Sequence, residues 1–170
     1  PSKNLGAFGD AGMLTTDSDE LAEKIRMIIS HGSKRKYYHE TLGVNSRLDS
    51  LQAAILDVKL KHLDEYCDAR NAAAEKYNAR LKDHVEVPYV MPGVKHIFHQ
   101  YSIRVKNRNA MQEFLKDSGI PSMIYYPVPL HLQEAYKYSY LPGDYPVSEE
   151  IAADIISLPM HTELDDAQIG

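Results

Sequence analysis

Apolar side chains recur every three or four residues along the longest patterned stretch of the chain, residues 47–82. Leu48 and Leu51 begin one apolar face that continues to Leu81, and charged side chains occupy the other faces. Because neither glycine nor proline interrupts the stretch, the pattern predicts one long helix, with a bend near its middle left open. Such a helix is suited to linking two lobes or to packing against another subunit.

The N-terminal stretch predicts a strand followed by a helix. Residues 13–16 form a short apolar run that ends in threonines and predicts the strand. Ser18, or the aspartate before it, is placed to cap the helix, and His31 with Gly32 to end it, His31 as a cap. The polar stretch 33–46 then predicts a loop, and its many functional side chains favour a role in binding.

The second half of the chain alternates short strand and helix patterns. The predicted elements are a strand over 85–90, a strand over 99–105, a helix from Asn107 to Gly119, a strand over 122–126 and a helix over 147–156. This order predicts a small α/β lobe with helices on one face of a sheet. The boundary between the two lobes is predicted near residue 83.

Composition excludes several classes of protein. A net charge of -5 argues against a general nucleic-acid binder, and no apolar run approaches the roughly 20 residues that span a bilayer. Cys67 is the only cysteine, which rules out an intrachain disulfide and fits a reducing cytoplasm. His96, His99 and Glu40 lack the spacing of metal ligands, so we predict no metal site.

Two segments carry candidate chemistry. Lys3 precedes glycines at positions 6, 9 and 12, a pattern typical of a tight loop. A desolvated lysine there is a candidate for condensation with a carbonyl, and the alternative is a solvated charge. Further along, prolines at 127 and 129 predict an extended loop that presents tyrosines and His131 in defined directions.

Four motifs in order resemble one known family. They are Ser-Lys-Asn-Leu-Gly at 2–6 with Gly-Asp-Ala-Gly after it, the stretch 43–54, Pro-Val-Pro-Leu-His at 127–131 and Ser-Leu-Pro-Met-His at 157–161. Together they resemble the DegT/DnrJ/StrS family of PLP-dependent sugar aminotransferases, over essentially all 170 residues. The tract 119–126 is most similar to members that aminate a 3-keto UDP-N-acetyl-glucosaminuronate.

The resemblance implies a fold class and a domain organisation. The fold is α/β, the C-terminal part of a fold-type-I PLP-dependent transferase. Residues 1–82 correspond to the end of the PLP-binding large domain with the long linking helix. Residues 83–170 correspond to the small C-terminal α/β domain, truncated at its end.

The resemblance also implies roles for individual residues. Lys3 matches the lysine that holds pyridoxal 5'-phosphate covalently and moves the substrate proton. Asn45 matches a residue that reaches the cofactor phosphate of a neighbouring subunit, and Arg47 is placed to pair with a carboxylate of the donor or sugar. The substrate-side loop is matched by Tyr125, Tyr126 and His131.

The residues themselves leave a second interpretation open for each of these positions. Asn45 and the serine after it also suit a cap of the long helix, and Arg47 a solvated charge in its first turn. His131 lies between two leucines, as a packing histidine does. The tyrosine pair suits the core of a strand.

The implied activity is transfer of an amino group from a donor such as glutamate to a keto-sugar nucleotide, in synthesis of surface polysaccharide and lipopolysaccharide precursors. A homodimer is implied, with no nucleic-acid or membrane partner. The family's phosphate turn, its aspartate for the pyridine nitrogen, its ring-stacking residue and a serine shortly before the lysine all precede the stretch matched here. The chain is therefore expected to be a fragment that is inactive alone.

Two other functions remain as alternatives. Within the family, sugar dehydratases carry histidine where this chain has Lys3, so the lysine favours an aminotransferase. A different class is a non-catalytic module, in which the long helix and the small lobe serve sugar-nucleotide binding or dimerisation.

Overall fold

The computed structural model describes residues 2–170, which divide into two compact units, one that ends at Leu63 and one that spans Asp64–Gly170. The division falls inside the segment predicted as one long helix. The assignment of residues 1–82 and 83–170 to two domains of a larger fold stays a prediction.

The first helix of the first unit, α1, spans Asp19–Ile29 and confirms the predicted capping serine. The Ser18 hydroxyl accepts the Leu21 N–H at 3.2 Å, and acidic residues occupy the first turn, where they favour the helix dipole. The C-cap is Ser30, one residue before the predicted His31.

The stretch predicted as a loop over 33–46 contains a small hairpin. Strand β1, Ser33–Arg35, pairs antiparallel with β2, Tyr38–His39. Gly32 makes the close turn possible, because its φ is +74° and a Cβ there would lie 1.8 Å from the Thr41 carbonyl oxygen. Alternation over two or three residues is too short to predict such strands from sequence.

The predicted strand over 13–16 is wrong. None of the strands in residues 2–170 pairs with it, and Met13 and Leu14 are 86% and 74% exposed. An apolar run becomes a strand only where a neighbouring strand satisfies its backbone groups.

The predicted long helix is interrupted near its middle, where a bend was left open, and two helices occupy the stretch. Helix α2 spans Ser50–Leu60 and α3 spans Leu63–Leu81. At the break, the His62 N–H donates to the Lys59 carbonyl at 3.1 Å, a bond one residue shorter than the helical one. The apolar spacing continues through the break, which is why sequence periodicity does not reveal it.

The second unit is built on an antiparallel pair of strands. Strand β3, Tyr101–Arg104, pairs with β4, Ile155–Leu158, and Ile103 lies opposite Ile156. The inward face predicted for β3 is confirmed, because Tyr101 and Ile103 are buried.

The two other predicted strands of this unit shrink to single bridges. In the stretch 85–90 only Glu86 bridges, to Arg104, and in 122–126 only Met123 bridges, to Ser157. Each therefore adds one residue to an edge of the β3–β4 pair rather than a full strand.

Besides α3, the second unit contains the helices α4 at Arg108–Asp117, α5 at Pro146–Asp154 and α6 at Asp166–Ile169, with two 3₁₀ turns at Leu130–Leu132 and Glu134–Tyr136. Helix α3 contributes Ala73, Ala74 and Tyr77 to the core. The helix predicted over 147–156 ends two residues early, because Ile155 and Ile156 enter β4. The packed core is formed by Ala73, Ala74, Tyr77, Phe98, Tyr101, Ile103, Val105, Leu115, Ile156 and Ile169.

One half-buried cation joins three segments of this unit. Arg70 Nη1 on α3 donates to the carbonyl oxygens of Phe98, His99 and Met160, at 3.1, 3.2 and 3.1 Å. Burial lowers the pKa of the Arg70 guanidinium from its usual range. These bonds hold irregular backbone that β3 and β4 leave without sheet partners.

Tyr101 predicts how stability responds to alkaline pH. Burial, and then the nearby Tyr77 phenol, raise the pKa of Tyr101 to about 12 from 10.0. The protonated Tyr101 phenol contributes to the free energy of unfolding, and this contribution is fully present below pH 10. It falls as pH rises toward 12, because Tyr101 loses its proton at a lower pH in the unfolded chain than in the folded one. We expect Tyr101→Phe to make the alkaline loss of stability shallower.

Urea unfolding across this pH range measures the effect. The matched control is Tyr138→Phe, since Tyr138 is 94% exposed and should leave the slope unchanged. Equal slopes in the Tyr101→Phe variant and the unsubstituted chain would contradict the prediction.

Candidate functional site

The glycine-rich N-terminal loop presents Lys3 to solvent, as the solvated-charge alternative predicts, and the desolvation expected of a carbonyl-reactive lysine is not found within residues 2–170. The Lys3 side chain is exposed, and Gly6 takes a left-handed conformation with φ +61° that turns the chain just after it. Glycines 9 and 12 do not take that conformation, so one of the three glycines provides the predicted tight turn.

A buried glutamine, whose role the sequence analysis missed, holds this loop. Gln52 on α2 is 7% exposed; its Nε2 donates to the Gly9 carbonyl at 2.7 Å and its Oε1 accepts the Phe8 N–H at 3.1 Å. Both ends of one amide thus bind adjacent backbone groups. The available signal was a lone polar residue in the apolar run 51–56.

The Asn45 segment is fixed along the end of α1. The N–H groups of Val44 and Ser46 donate to the carbonyls of Ile28 and Ile29 at 2.8 and 3.0 Å. This backbone pairing, rather than a helix, orients Asn45.

Asn45 and Arg47 are brought together. Arg47 Nε donates to Asn45 Oδ1 at 3.0 Å, and both side chains are exposed. Since the Asn45 oxygen accepts this bond, its NH₂ group keeps its donors for an anion. The capping alternative is wrong: the N-cap of α2 is Asp49, and Arg47 precedes the helix.

The second unit contains an open groove beside the proline loop, with a volume of about 490 Å³. Tyr125 and Tyr126 lie on one side, with ring centroids 5.7 Å apart in an edge-to-face arrangement. Tyr126 is 68% exposed, so the strand-core alternative is wrong for it. The remaining lining residues are Val128, Pro129, Leu130, Gln133, Ser148, Ile151, Ala152 and Ile155.

His131 points inward from this loop. It is 8% exposed, its Nε2 lies 2.9 Å from Glu149 Oε1, and the Tyr145 ring lies 4.9 Å from it. The hydrogen bond from His131, followed by that from the Gly143 N–H, lowers the pKa of the Glu149 carboxyl. His131 therefore has a structural partner, as the packing interpretation predicts.

The candidate residues thus form two groups, one in each unit. Lys3, Asn45 and Arg47 lie in the first, where a bond joins the last two. Tyr125, Tyr126 and His131 lie on one loop of the second.

The first group has chemistry that fits pyridoxal phosphate. Lys3 is an exposed primary amine, the group that condenses with an aldehyde, and Asn45 is an uncharged amide with donors for a phosphate.

Within residues 2–170, no three or more His, Cys, Asp or Glu side chains are placed to hold a metal ion. No helix in that range combines the length and apolarity needed to cross a membrane.

Comparison with known proteins finds relatives that match nearly the whole chain. The chain is 50% identical over 173 residues to the pleiotropic regulatory protein of Geobacillus stearothermophilus. The aligned region covers 99% of this chain and 46% of that protein. The chain is 42% identical over 170 residues to the UDP-2-acetamido-2-deoxy-3-oxo-D-glucuronate aminotransferase of Pseudomonas aeruginosa, covering 99% and 47%.

A solved structure matches equally well. The crystal structure of a DegT DnrJ EryC1 StrS aminotransferase from Brucella abortus superposes with a TM-score of 0.92 and 44% identity, over 99% of this chain and 46% of that one. This confirms the predicted fold class, an α/β chain with part of the PLP-transferase fold. The chain spans about half the length of the proteins it matches. A family model matches residues 1–170, and the chain belongs to the DegT/DnrJ/EryC1/StrS aminotransferase family.

Proposed function

We propose that this chain is part of a PLP-dependent aminotransferase that moves an amino group from an amino acid such as glutamate to a keto-sugar nucleotide. The observation that carries the proposal is the family match over residues 1–170 with a lysine at position 3. The proposed acceptor is a 3-keto UDP-N-acetyl-glucosaminuronate. The 42% identity to the Pseudomonas aeruginosa enzyme, whose name states such a substrate, supports that choice.

Lys3 is the proposed catalytic residue. Its amine would hold pyridoxal phosphate covalently and, once released from that bond, would carry a proton to or from the reacting carbon of the substrate. When bound, pyridoxal phosphate supplies the electron sink for the carbanion. The two hydrogen bonds of Gln52 fix the backbone of the same loop at Phe8 and Gly9.

Asn45 and Arg47 are the proposed anion-binding residues of the first unit. The NH₂ group of Asn45 would donate to the cofactor phosphate of a neighbouring subunit. Arg47 pairs with a carboxylate on the donor or the sugar. Its hydrogen bond to Asn45 keeps the two side chains next to each other.

The proline loop is the proposed substrate side of the second unit. Tyr125 and Tyr126 offer ring faces and hydroxyls to a sugar nucleotide in the groove that they line. His131 contributes to this side from a buried position, through the loop it holds. The proposal places the protein in the cytoplasm as a homodimer, acting in precursor synthesis for surface polysaccharide or lipopolysaccharide.

A labelled-donor experiment tests the function. The intact gene product is incubated with pyridoxal phosphate, nitrogen-labelled glutamate and the 3-keto UDP-sugar, and mass spectrometry follows the label. We expect label in the amino sugar, and a lower rate with a keto-sugar carried on dTDP. If glutamate loses no label to any keto-sugar nucleotide, the proposal is wrong.

A second candidate is a non-catalytic sugar-nucleotide-binding or dimerisation module. The observation that favours it is the 50% identical Geobacillus stearothermophilus relative, whose name states regulation rather than catalysis. Binding of a UDP-sugar without pyridoxal phosphate and without amino transfer would support this candidate.

A further inference from the structure

The groove in the second unit has two walls from different parts of the chain. One wall is the loop 125–133, which carries both tyrosines, and the other is formed by α5 and the start of β4. Because the two walls are distant in sequence, interactions between them are needed if the groove is to keep a defined width.

Two sets of hydrogen bonds, called fastenings below, connect the walls. Before the loop, Met123 and Ser157 exchange backbone hydrogen bonds of 3.1 and 2.7 Å. At its other end, His131 Nε2 lies 2.9 Å from Glu149 Oε1 on α5. The tyrosine pair lies between these two points, so both are needed to hold it.

Glu149 also fastens a third segment. Its Oε1 accepts the Gly143 N–H at 2.8 Å, so one carboxylate oxygen holds both the proline loop and the turn before α5. Because an ionised carboxylate only accepts, the His131 nitrogen is the donor. The His131 ring is 8% exposed and the Glu149 side chain 25%, which shields the bond from competing water.

We propose that Glu149 is a positioning residue for the keto-sugar nucleotide, holding His131 so that Tyr125 and Tyr126 stay at a fixed distance from α5. This inference rests on the proposed function. In this proposal His131 Nε2 donates to Glu149 and does not bind the ligand. Loss of the fastening should weaken acceptor binding and leave reaction with the amino donor unchanged.

The test compares Glu149→Ala with Glu149→Gln in the intact gene product. Calorimetry measures the Kd for UDP-N-acetylglucosamine, and kinetics separate KM for the keto-sugar from kcat and from the half-reaction with glutamate. We expect Glu149→Ala to raise Kd and KM about tenfold, with kcat and the donor half-reaction changed less than about twofold. Glu149→Gln keeps an acceptor oxygen and should stay within about threefold of the unsubstituted protein.

The control is Glu113→Ala, an exposed glutamate on α4, which should change neither constant. An unchanged Kd in Glu149→Ala, or a tenfold rise in Glu149→Gln, would overturn the proposal. Because the glutamine variant keeps an acceptor oxygen, a tenfold rise of its Kd counts against the proposal even if Glu149→Ala fails to fold.

The two proposals fail separately. If the unsubstituted protein binds the UDP-sugar but transfers no amine, the proposed function is wrong. A higher Kd in Glu149→Ala would still support the positioning role. If it transfers amine and Glu149→Ala binds as tightly, only the positioning role falls. If the unsubstituted protein neither binds nor transfers, both are overturned.

Discussion

Lys3→Arg is expected to abolish covalent attachment of pyridoxal phosphate and to lower the transamination rate by about 10²–10⁴-fold. Arginine keeps the positive charge and much of the length of lysine. Its guanidinium stays protonated near neutral pH, so it neither condenses with an aldehyde nor carries a proton back and forth. A purely electrostatic role for Lys3 would survive this substitution.

Attachment is measured by adding pyridoxal phosphate to the intact gene product, reducing with borohydride and mapping the modified peptide. The rate is measured with glutamate and the keto-sugar nucleotide. The control is Lys24→Arg, an exposed lysine on α1 in the same unit, which should retain full activity. Label on another lysine, or a Lys3→Arg variant that stays active, would refute the assignment.

Ile156→Ala is expected to destabilise the chain by about 2–5 kcal/mol, the usual range for truncating a fully buried isoleucine. Ile156 has no exposed surface and lies in β4 opposite Ile103 of β3. Removing its side chain beyond Cβ leaves a cavity within the main core of the second unit, which the paired strands cannot collapse to fill.

Urea unfolding followed by circular dichroism measures this change in the free energy of unfolding. Ile120→Ala is the matched control, since Ile120 is 40% exposed and should lose much less. Similar losses for the two variants would show that β4 does not form the core described above.

Local signals determined the elements that were predicted correctly. The capping hydroxyl of Ser18 and the acidic first turn identify the start of α1 from a few neighbouring residues. Strict alternation around Tyr101 and Ile103 similarly identifies the inward face of β3. These signals depend on spacing along the chain and need no distant partner.

The errors arose where a distant partner decides the outcome. Ile155 and Ile156 continue the helical spacing of α5, yet pairing with β3 draws them into a strand. The apolar run at 13–16 has strand composition and no strand partner among residues 2–170. Apolar spacing records that a residue is buried, and it does not record which backbone pairs with it.

The candidate site divides in the same way. Motif order along the chain indicated the family and selected Lys3, Asn45, Arg47 and the proline loop, because reactive groups of the right chemistry stand at fixed spacings. Their roles in catalysis and binding stay predictions. The alternative of Asn45 as a helix cap was removed only by the start of α2 at Ser50.

By itself, the sequence determined the family, the α/β class and the chemistry available at each candidate position. Only the tertiary structure decided that Gln52 clamps the lysine loop, that α2 and α3 are separate helices and that Glu149 holds His131. For Gln52 and Glu149 the physical reason is that hydrogen bonds between residues 18 to 44 positions apart leave no periodic trace in the chain. For α2 and α3 it is that the apolar spacing continues through the local break at His62.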